Sequence, residues 1–144
     1  MNENGITIRR LGPSDATLTT LEQLRLMYAE LAPGKESGLS LSQLTELLVM
    51  PTVFFFIAEE DRPETKRMIG MLTLVHMVTL IAMRGYIEDV AVLSEYRGRR
   101  IAWALMNEAL RVARGFRYGT GLAYLTPGSR SGQCLLSKVW VSPS

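Results

Sequence analysis

The residues best suited to chemistry fall in one short stretch. Glu88 and Asp89 sit in an apolar run, and Arg97, Gly98, Arg99 and Arg100 follow just ahead of Ile101 and Ala102. Residues 87–93 read as a strand and Ile101 opens a helix, so the arginines crowd the mouth of that helix. The first N–H groups of a helix lack partners within it, and the helix dipole favours negative charge there. Guanidinium groups bind phosphate oxygens through paired hydrogen bonds. Strand, arginine loop and helix start together describe an anion site, suited to a phosphorylated small ligand. Glu88 supplies a second kind of chemistry. A carboxylate on a strand beside such a site can take a proton as a general base, directly or through water. Strand alternation places Asp89 on the opposite face from Glu88.

The other reactive side chains read as structural. His76 is the lone histidine and stands in an apolar strand, where a packed imidazole is the ordinary outcome. Cys134 has no base beside it, and a thiol needs one to act as a nucleophile. Tyr124 and the run Phe54, Phe55, Phe56 read as core, and Arg111, Arg114 and Arg117 as a solvated helix face.

The elements that must hold the central stretch follow from periodicity. Residues 6–11 alternate apolar and polar, as a half-buried strand does. Leu18, Leu21, Leu24, Tyr28 and Leu31 share one face of a helix that Pro33 and Gly34 stop. Ser40 and Gln43 form a capping box for a second helix with Leu41, Leu44, Leu47 and Leu48 inward. Strands are expected over 53–58, 66–78 and 86–93, with a charged hairpin turn at 59–64 and another turn at 82–85. Gly70 marks a bulge or a close approach within the middle strand. Three strands joined by tight turns make an antiparallel meander. The helix from Ile101 turns Leu105, Ala109 and Val112 inward and ends by Gly115. A short strand at 121–125 reaches a position parallel to 86–93 through the helix crossover. A last helix is expected at 133–139.

Composition narrows the function. A chain of 144 residues, 47% hydrophobic and 21% charged, suits one domain over 1–144. One cysteine and one histidine leave no intrachain disulfide and no cysteine or histidine metal cluster. The apolar run at 68–83 is interrupted by Gly70, Thr73, His76 and Thr79, unlike a membrane helix. The polar start lacks a signal-peptide pattern, so a cytoplasmic location is expected. From Ser94 onward eight basic residues face two acidic ones, a net +6 that leaves −4 for the rest. That asymmetry calls for an anionic partner. The arginines cluster at one loop and no stacking aromatics interleave with them, which points away from nucleic acid. Trp103 and Trp140 hint at a homodimer interface.

The order of elements resembles the GCN5-related N-acetyltransferase (GNAT) superfamily. The strongest match is Tyr86-Ile87-Glu88-Asp89-Val90-Ala91-Val92 followed by Tyr96-Arg97-Gly98, similar to the family's IEDVVV…YRGRGIG segment. Pro13-Ser14-Asp15-Ala16 and Ile69-Gly70-Met71-Leu72 also resemble family segments, and the likeness spans residues 6–140, fading after Gly115. It implies an α+β fold with a mixed, mostly antiparallel sheet flanked by helices, shortened at the C-terminus. It implies acetyl-CoA as co-substrate, with no metal, and a small-molecule or peptide amine as acceptor. The pantetheine arm would lie where two parallel strands splay, against the backbone of Val90, Ala91 and Val92. Backbone N–H groups of Arg97, Gly98, Arg99, Arg100, Ile101 and Ala102 would hold the diphosphate. Glu88 would deprotonate the amine, which then attacks the thioester directly.

Two positions depart from the family pattern. Arg100 stands where the family has a glycine that lets backbone approach phosphate, and its guanidinium can compensate. Ser137 stands where the family often has a tyrosine that protonates the leaving thiolate. The family's last two strands have no sequence left to form them. These departures motivate an alternative: a catalytically impaired acyl-CoA-binding or partner-binding module of the same fold.

Overall fold

The computed structural model describes residues 2–3, 5–78, 80, 83–115, 123–126 and 135–139, with side chains for 5–78, 80 and 85–115. The chain forms β1 (Asn2–Glu3), β2 (Ile6–Arg10), α1 (Leu18–Leu31), α2 (Leu41–Leu48), β3 (Val53–Asp61), β4 (Lys66–Val78), β5 (Met83–Val92), α3 (Ile101–Ala113), β6 (Ala123–Thr126) and β7 (Leu135–Val139). Short 3-10 turns at Pro13–Asp15 and Ser94–Tyr96 precede α1 and α3. The sheet runs β1-β2-β3-β4-β5-β7-β6, and every pairing in it is antiparallel.

Local chemistry sets the helix starts. The Thr17 hydroxyl accepts the Thr20 N–H at 3.2 Å and begins α1. Ser40 and Gln43 form the expected capping box, with bonds of 3.1 and 2.9 Å, and begin α2. Leu44 and Leu48 of α2 are buried, as are Leu21 and Met27 of α1. Leu18 is not inward as its spacing suggests: it is 64% exposed. It lies in the first turn of α1, and the buried stripe begins one turn later.

Both faces of β4 are covered. Leu72 and Leu74 are buried on one side and Thr73 on the other, and Met68, beyond a break in register, is buried on the side of Thr73. A Cβ added to Gly70 would meet Ile101 Cγ2 and Leu105 Cδ1 at 3.2 Å and Ala58 Cβ at 3.4 Å. The face of β4 that carries Gly70, Leu72 and Leu74 therefore packs against α3, closer at Gly70 than a Cβ ordinarily comes. The opposite face is covered by α1, which packs on β4 and β5 and whose Gln23 side chain accepts the Met68 N–H at 2.6 Å. Gly70 also adjoins a register break, between the pairs Ala58–Gly70 and Glu59–Met68, so the bulge and the close approach expected there both occur. In α3 the buried residues are Ile101, Leu105, Ala109 and Ala113. Val112 is only partly buried.

Three expectations are corrected. The charged turn starts later than 59, because β3 continues to Asp61. Glu59 is buried there, ion-paired with Arg9, which also binds Asp15 at 2.9 Å. A charge enters a strand when a partner meets it. That pairing raises the Arg9 pKa and lowers that of Asp15. The helix expected at 133–139 is instead strand β7. The short strand β6 does not lie beside β5: β7 stands between them and pairs with both. A short strand cannot leave its backbone N–H and C=O groups unpaired, and the β6–β7 hairpin satisfies them. The expected loop at 127–131, Cys134 and Trp140 lie outside the described residues.

Candidate active site

The site begins at an irregularity in β5. Met71 pairs with Ala91, but Thr73 pairs with Glu88, so β5 spends one residue more than β4 between those pairs. The extra residue is accommodated at Asp89, whose φ of 54° lies in the left-handed region. Few side chains other than those of glycine, asparagine and aspartate tolerate that conformation. The bulge resets the alternation of faces. Ile87 and Val90 are buried, and Glu88 and Asp89 between them are both exposed. Glu88 shares the face of its register partner Thr73, the α1 side of the sheet. The bulge breaks the alternation by which Asp89 is expected to face away from Glu88. Asp89 keeps solvent access on one side, while the surrounding protein desolvates the carboxyl and pushes its pKa up, an effect the Thr73 bond only partly offsets.

On its second edge β5 is flanked by β7, which packs along it and bridges it at Gly85–Val139. Val90, Ala91 and Val92 bury their side chains, which leaves backbone groups as what they can present to a ligand. The split between parallel strands expected there is not seen among the described residues, where β7 runs antiparallel to β5.

Beyond Val92 the chain turns through Ser94–Tyr96 into the arginine loop. Tyr96 is buried and anchors it: Arg62 donates to its hydroxyl at 3.2 Å, and the Arg67 and Arg99 guanidinium groups lie 5.8 and 5.1 Å from its ring centre. Arg97 is engaged elsewhere. Its side chain binds Glu30 of α1 at 3.0 Å, and its N–H donates to Ser94 O at 3.3 Å. Gly98 has a φ of 79°. Arg100 is the N-cap of α3 with φ 59° and ψ 24°, and no side chain caps the helix. Its carbonyl accepts the Ala104 N–H at 3.0 Å, so Ile101, Ala102 and Trp103 carry the unpaired N–H groups of the first turn. Among the described residues the Arg100 guanidinium has no ion-pair partner. It lines, with Arg99, Glu60, Asp61 and Trp103, a cavity of about 650 Å³ on the β2–β3 flank of α3.

The family model for acetyltransferase (GNAT) family proteins matches residues 21–133. The chain belongs to this family. GNAT structures also share its fold. An aminoglycoside acetyltransferase from an uncultured soil metagenomic sample, in complex with sisomicin, superposes with a TM-score of 0.67 at 21% identity, covering 79% of this chain and 74% of that one. A ribosomal-protein-alanine N-acetyltransferase from Brucella melitensis gives 0.60 at 19%, covering 75% and 71%. A predicted acetyltransferase with acetyl-CoA from Clostridium acetobutylicum gives 0.56 at 18%, covering 76% and 73%. Among curated proteins, none matches the sequence. No described helix is long and apolar enough to cross a membrane.

GNAT proteins use acetyl-CoA, and the loop fits its diphosphate. The first turn of α3 is uncapped, Gly98 and Arg100 take the left-handed angles that turn the chain into it, and a Cβ at Gly98 would meet open space. Arg100 stands at the family's glycine position in the backbone conformation that glycine favours. Ile101 is core by its side chain, so only its N–H can serve a ligand, and Ala102 is half-buried beside it. Ser137 lies on β7 rather than on a helix, and the structure describes only its backbone. Burial lowers the pKa of His76, as suits a packed imidazole. Sequence reasoning missed the roles of Thr73, Tyr96 and Glu30. Thr73 had a signal, a hydroxyl in an otherwise apolar strand; the other two contacts span separate elements and had none.

Proposed function

We propose that the protein is an acetyl-CoA-dependent N-acetyltransferase that acetylates a primary amine, of a small molecule or a peptide, by direct attack. The observation that carries this reading is the run of the chain from the bulge of β5 through the Gly98 and Arg100 turn into the uncapped start of α3. Acetyl-CoA, when bound, supplies a thioester whose carbonyl carbon takes the amine nitrogen while the carbon–sulfur bond breaks. Backbone groups of Val90, Ala91 and Val92 align the pantetheine amides. A backbone N–H there polarises the reacting carbonyl. With Arg97 committed to Glu30 and Ser94, the diphosphate falls to the N–H groups of residues 98–102 and to the Arg99 and Arg100 side chains. A β5 carboxylate relieves the acceptor ammonium of its proton. Glu88 is the candidate that the family resemblance singles out, and Ser137 is the candidate donor to the departing thiolate. The enzyme is taken to work in the cytoplasm. Trp103, 62% exposed, is the candidate contact of a homodimer.

Thermal unfolding with added acetyl-CoA tests the cofactor half. Ligand at 100 times its dissociation constant adds about 2.7 kcal/mol of stability. No shift at millimolar acetyl-CoA would sink the reading. The acceptor half is tested by CoA release with sisomicin, an alanine-terminated peptide, glucosamine and spermidine. The first two represent the acceptors named for two structural neighbours, whose difference shows that the fold alone does not choose one. Glu88→Gln and Ser137→Ala are then assayed on the best amine. Binding without turnover favours the second reading, a catalytically impaired acyl-CoA- or partner-binding module, which Ser137 at the tyrosine position motivates.

A further inference from the structure

Opposite charges line one cavity without meeting. Ile6 pairs with Glu60, Ile8 with Ala58 and Ala58 with Gly70, so Ile6, Ile8 and Glu60 stand on the face of the sheet that packs against α3. The helix lies chiefly over β3, β4 and β5. It leaves Ile6 and Ile8 of β2 half-buried, as apolar lining of the cavity of about 650 Å³ between them and the helix. That volume is in the range of small-molecule sites. Trp103 lines the cavity too, although it is 62% exposed. Arg100, three residues before it, supplies a guanidinium, and β3 supplies the carboxylates of Glu60 and Asp61.

Neither carboxylate pairs with Arg99 or Arg100 among the described residues. Glu60 is met by Arg62 at 3.3 Å and Asp61 by Lys66 at 3.9 Å, and neither of those cations lines the cavity. An ionised carboxylate accepts about four hydrogen bonds, so both have capacity left. Arg97 is held by Glu30 and Arg99 lies over the Tyr96 ring, while Arg100 has no ion-pair partner among the described residues. Arg100 also holds a left-handed φ of 59°, which glycine would adopt without strain. Unlike charges held apart around an apolar floor fit a ligand that carries both charges.

We propose that this cavity binds a small zwitterion with a flat apolar side group, of which an aromatic amino acid is the simplest case. The ligand carboxylate pairs with Arg100, whose fork of N–H donors matches it. The ligand ammonium donates to Glu60 and Asp61. The ring lies against Trp103 over Ile6 and Ile8. The site is distinct from the β5 carboxylates, since β4 stands between β3 and β5. Binding here does not depend on the acetyltransferase reading.

The test is calorimetric titration of the whole chain, without acetyl-CoA, which leaves Arg100 to the cavity. The probes are L-phenylalanine and three analogues: 3-phenylpropionate lacks the ammonium, phenethylamine the carboxylate, and L-alanine the ring. Phenylalanine should bind tightest, with each charge-deleted analogue weaker by about tenfold, the worth of a charge-assisted hydrogen bond. Arg100→Asn keeps a residue that tolerates the left-handed angle. It should weaken phenylalanine about tenfold and leave phenethylamine unchanged. Glu60→Gln combined with Asp61→Asn should weaken phenylalanine likewise and leave 3-phenylpropionate unchanged. In each case the unaffected analogue shows that the variant is folded. Trp103→Ala should weaken phenylalanine by about fivefold and L-alanine hardly at all. Wild type that binds none of the four at millimolar concentration overturns the proposal. An analogue that binds as tightly as phenylalanine overturns the zwitterion assignment. Phenylalanine binding that survives Arg100→Asn and Trp103→Ala unchanged overturns it too, by placing the amino acid elsewhere on the protein, as an acceptor amine would be.

Discussion

The bulge in β5 and the start of α3 place the same unusual backbone in the service of opposite parts of a residue. Asp89 and Arg100 are the two residues other than glycine with positive φ among those described, and they flank the Val92-to-Gly98 turn on either side. At Asp89 the strained backbone takes up the extra residue of the strand and breaks the alternation of side chains. At Arg100 it serves the backbone, turning the loop so that the first N–H groups of α3 face outward, while the guanidinium lines a cavity on the β2–β3 flank. The comparison teaches that one dihedral region has two uses. In a strand it decides where a side chain goes; at a helix cap it decides where amides go.

If that contrast is right, changes in the two regions have different functional consequences. The largest effect is on Glu88→Gln, beside the bulge. Turnover should fall about 100-fold, equivalent to about 2.7 kcal/mol, with acetyl-CoA affinity unchanged in a thermal-shift titration. Equal loss of affinity and rate would erase the distinction between the two regions. Next in size is Gly70→Ala, which disturbs the packing that seats α3 on the sheet. Ile101 and Leu105 are buried and already 3.2 Å from where the methyl would stand, so stability should fall by about 1–2 kcal/mol in urea unfolding. A neutral result would mean that α3 can lift without cost, and the loop would then not be rigidly tied to β5.

Arg100→Gly should move stability the other way, by about 0.5–1 kcal/mol, because glycine relieves the left-handed strain at a helix cap. Its acetyl-CoA affinity should drop several-fold with the lost charge, while kcat at saturating cofactor holds. The drop is about 1 kcal/mol on the usual conversion. Tighter binding would show that the side chain obstructs the cradle. The smallest effect is a pH dependence at Asp89. Its folded pKa lies above the usual carboxylate value, so its contribution is favourable below an unfolded pKa of about 3.9 and is lost as pH rises through the folded value. Ionised Asp89 therefore burdens the fold at neutral pH. Asp89→Asn should be slightly more stable than wild type near pH 7, with the advantage vanishing toward pH 4.

The parts legible in the sequence were those fixed by neighbours along the chain. The capping box at Ser40 and Gln43, the three meander strands and the helix start at Ile101 all depend on residues a few positions apart. Gly70 announced itself for the same reason, as a missing side chain in a strand. Glu59 was misread as part of a turn because its partner Arg9 lies on another strand. Residues 135–139 were misread because a short, weakly periodic segment takes its state from what it packs beside, here β5 and β6.

By itself, the sequence determined that an acidic pair on a strand precedes an arginine loop and a helix start, and that this order is that of a GNAT protein. Those facts are carried by composition and short spacing. Which of the two carboxylates leaves the regular ladder came only from the tertiary structure. A single inserted residue in a strand is invisible until the partner strand supplies the register. Once Thr73 stands opposite Glu88 and Met71 opposite Ala91, Asp89 and Val90 share the one position of Leu72, and Asp89 takes the left-handed angle that absorbs the extra residue. Likewise, three arginines are equivalent on paper. Glu30 and Tyr96, brought in from α1 and from the far side of the loop, engage Arg97 and Arg99 and leave Arg100 without an ion-pair partner among the described residues.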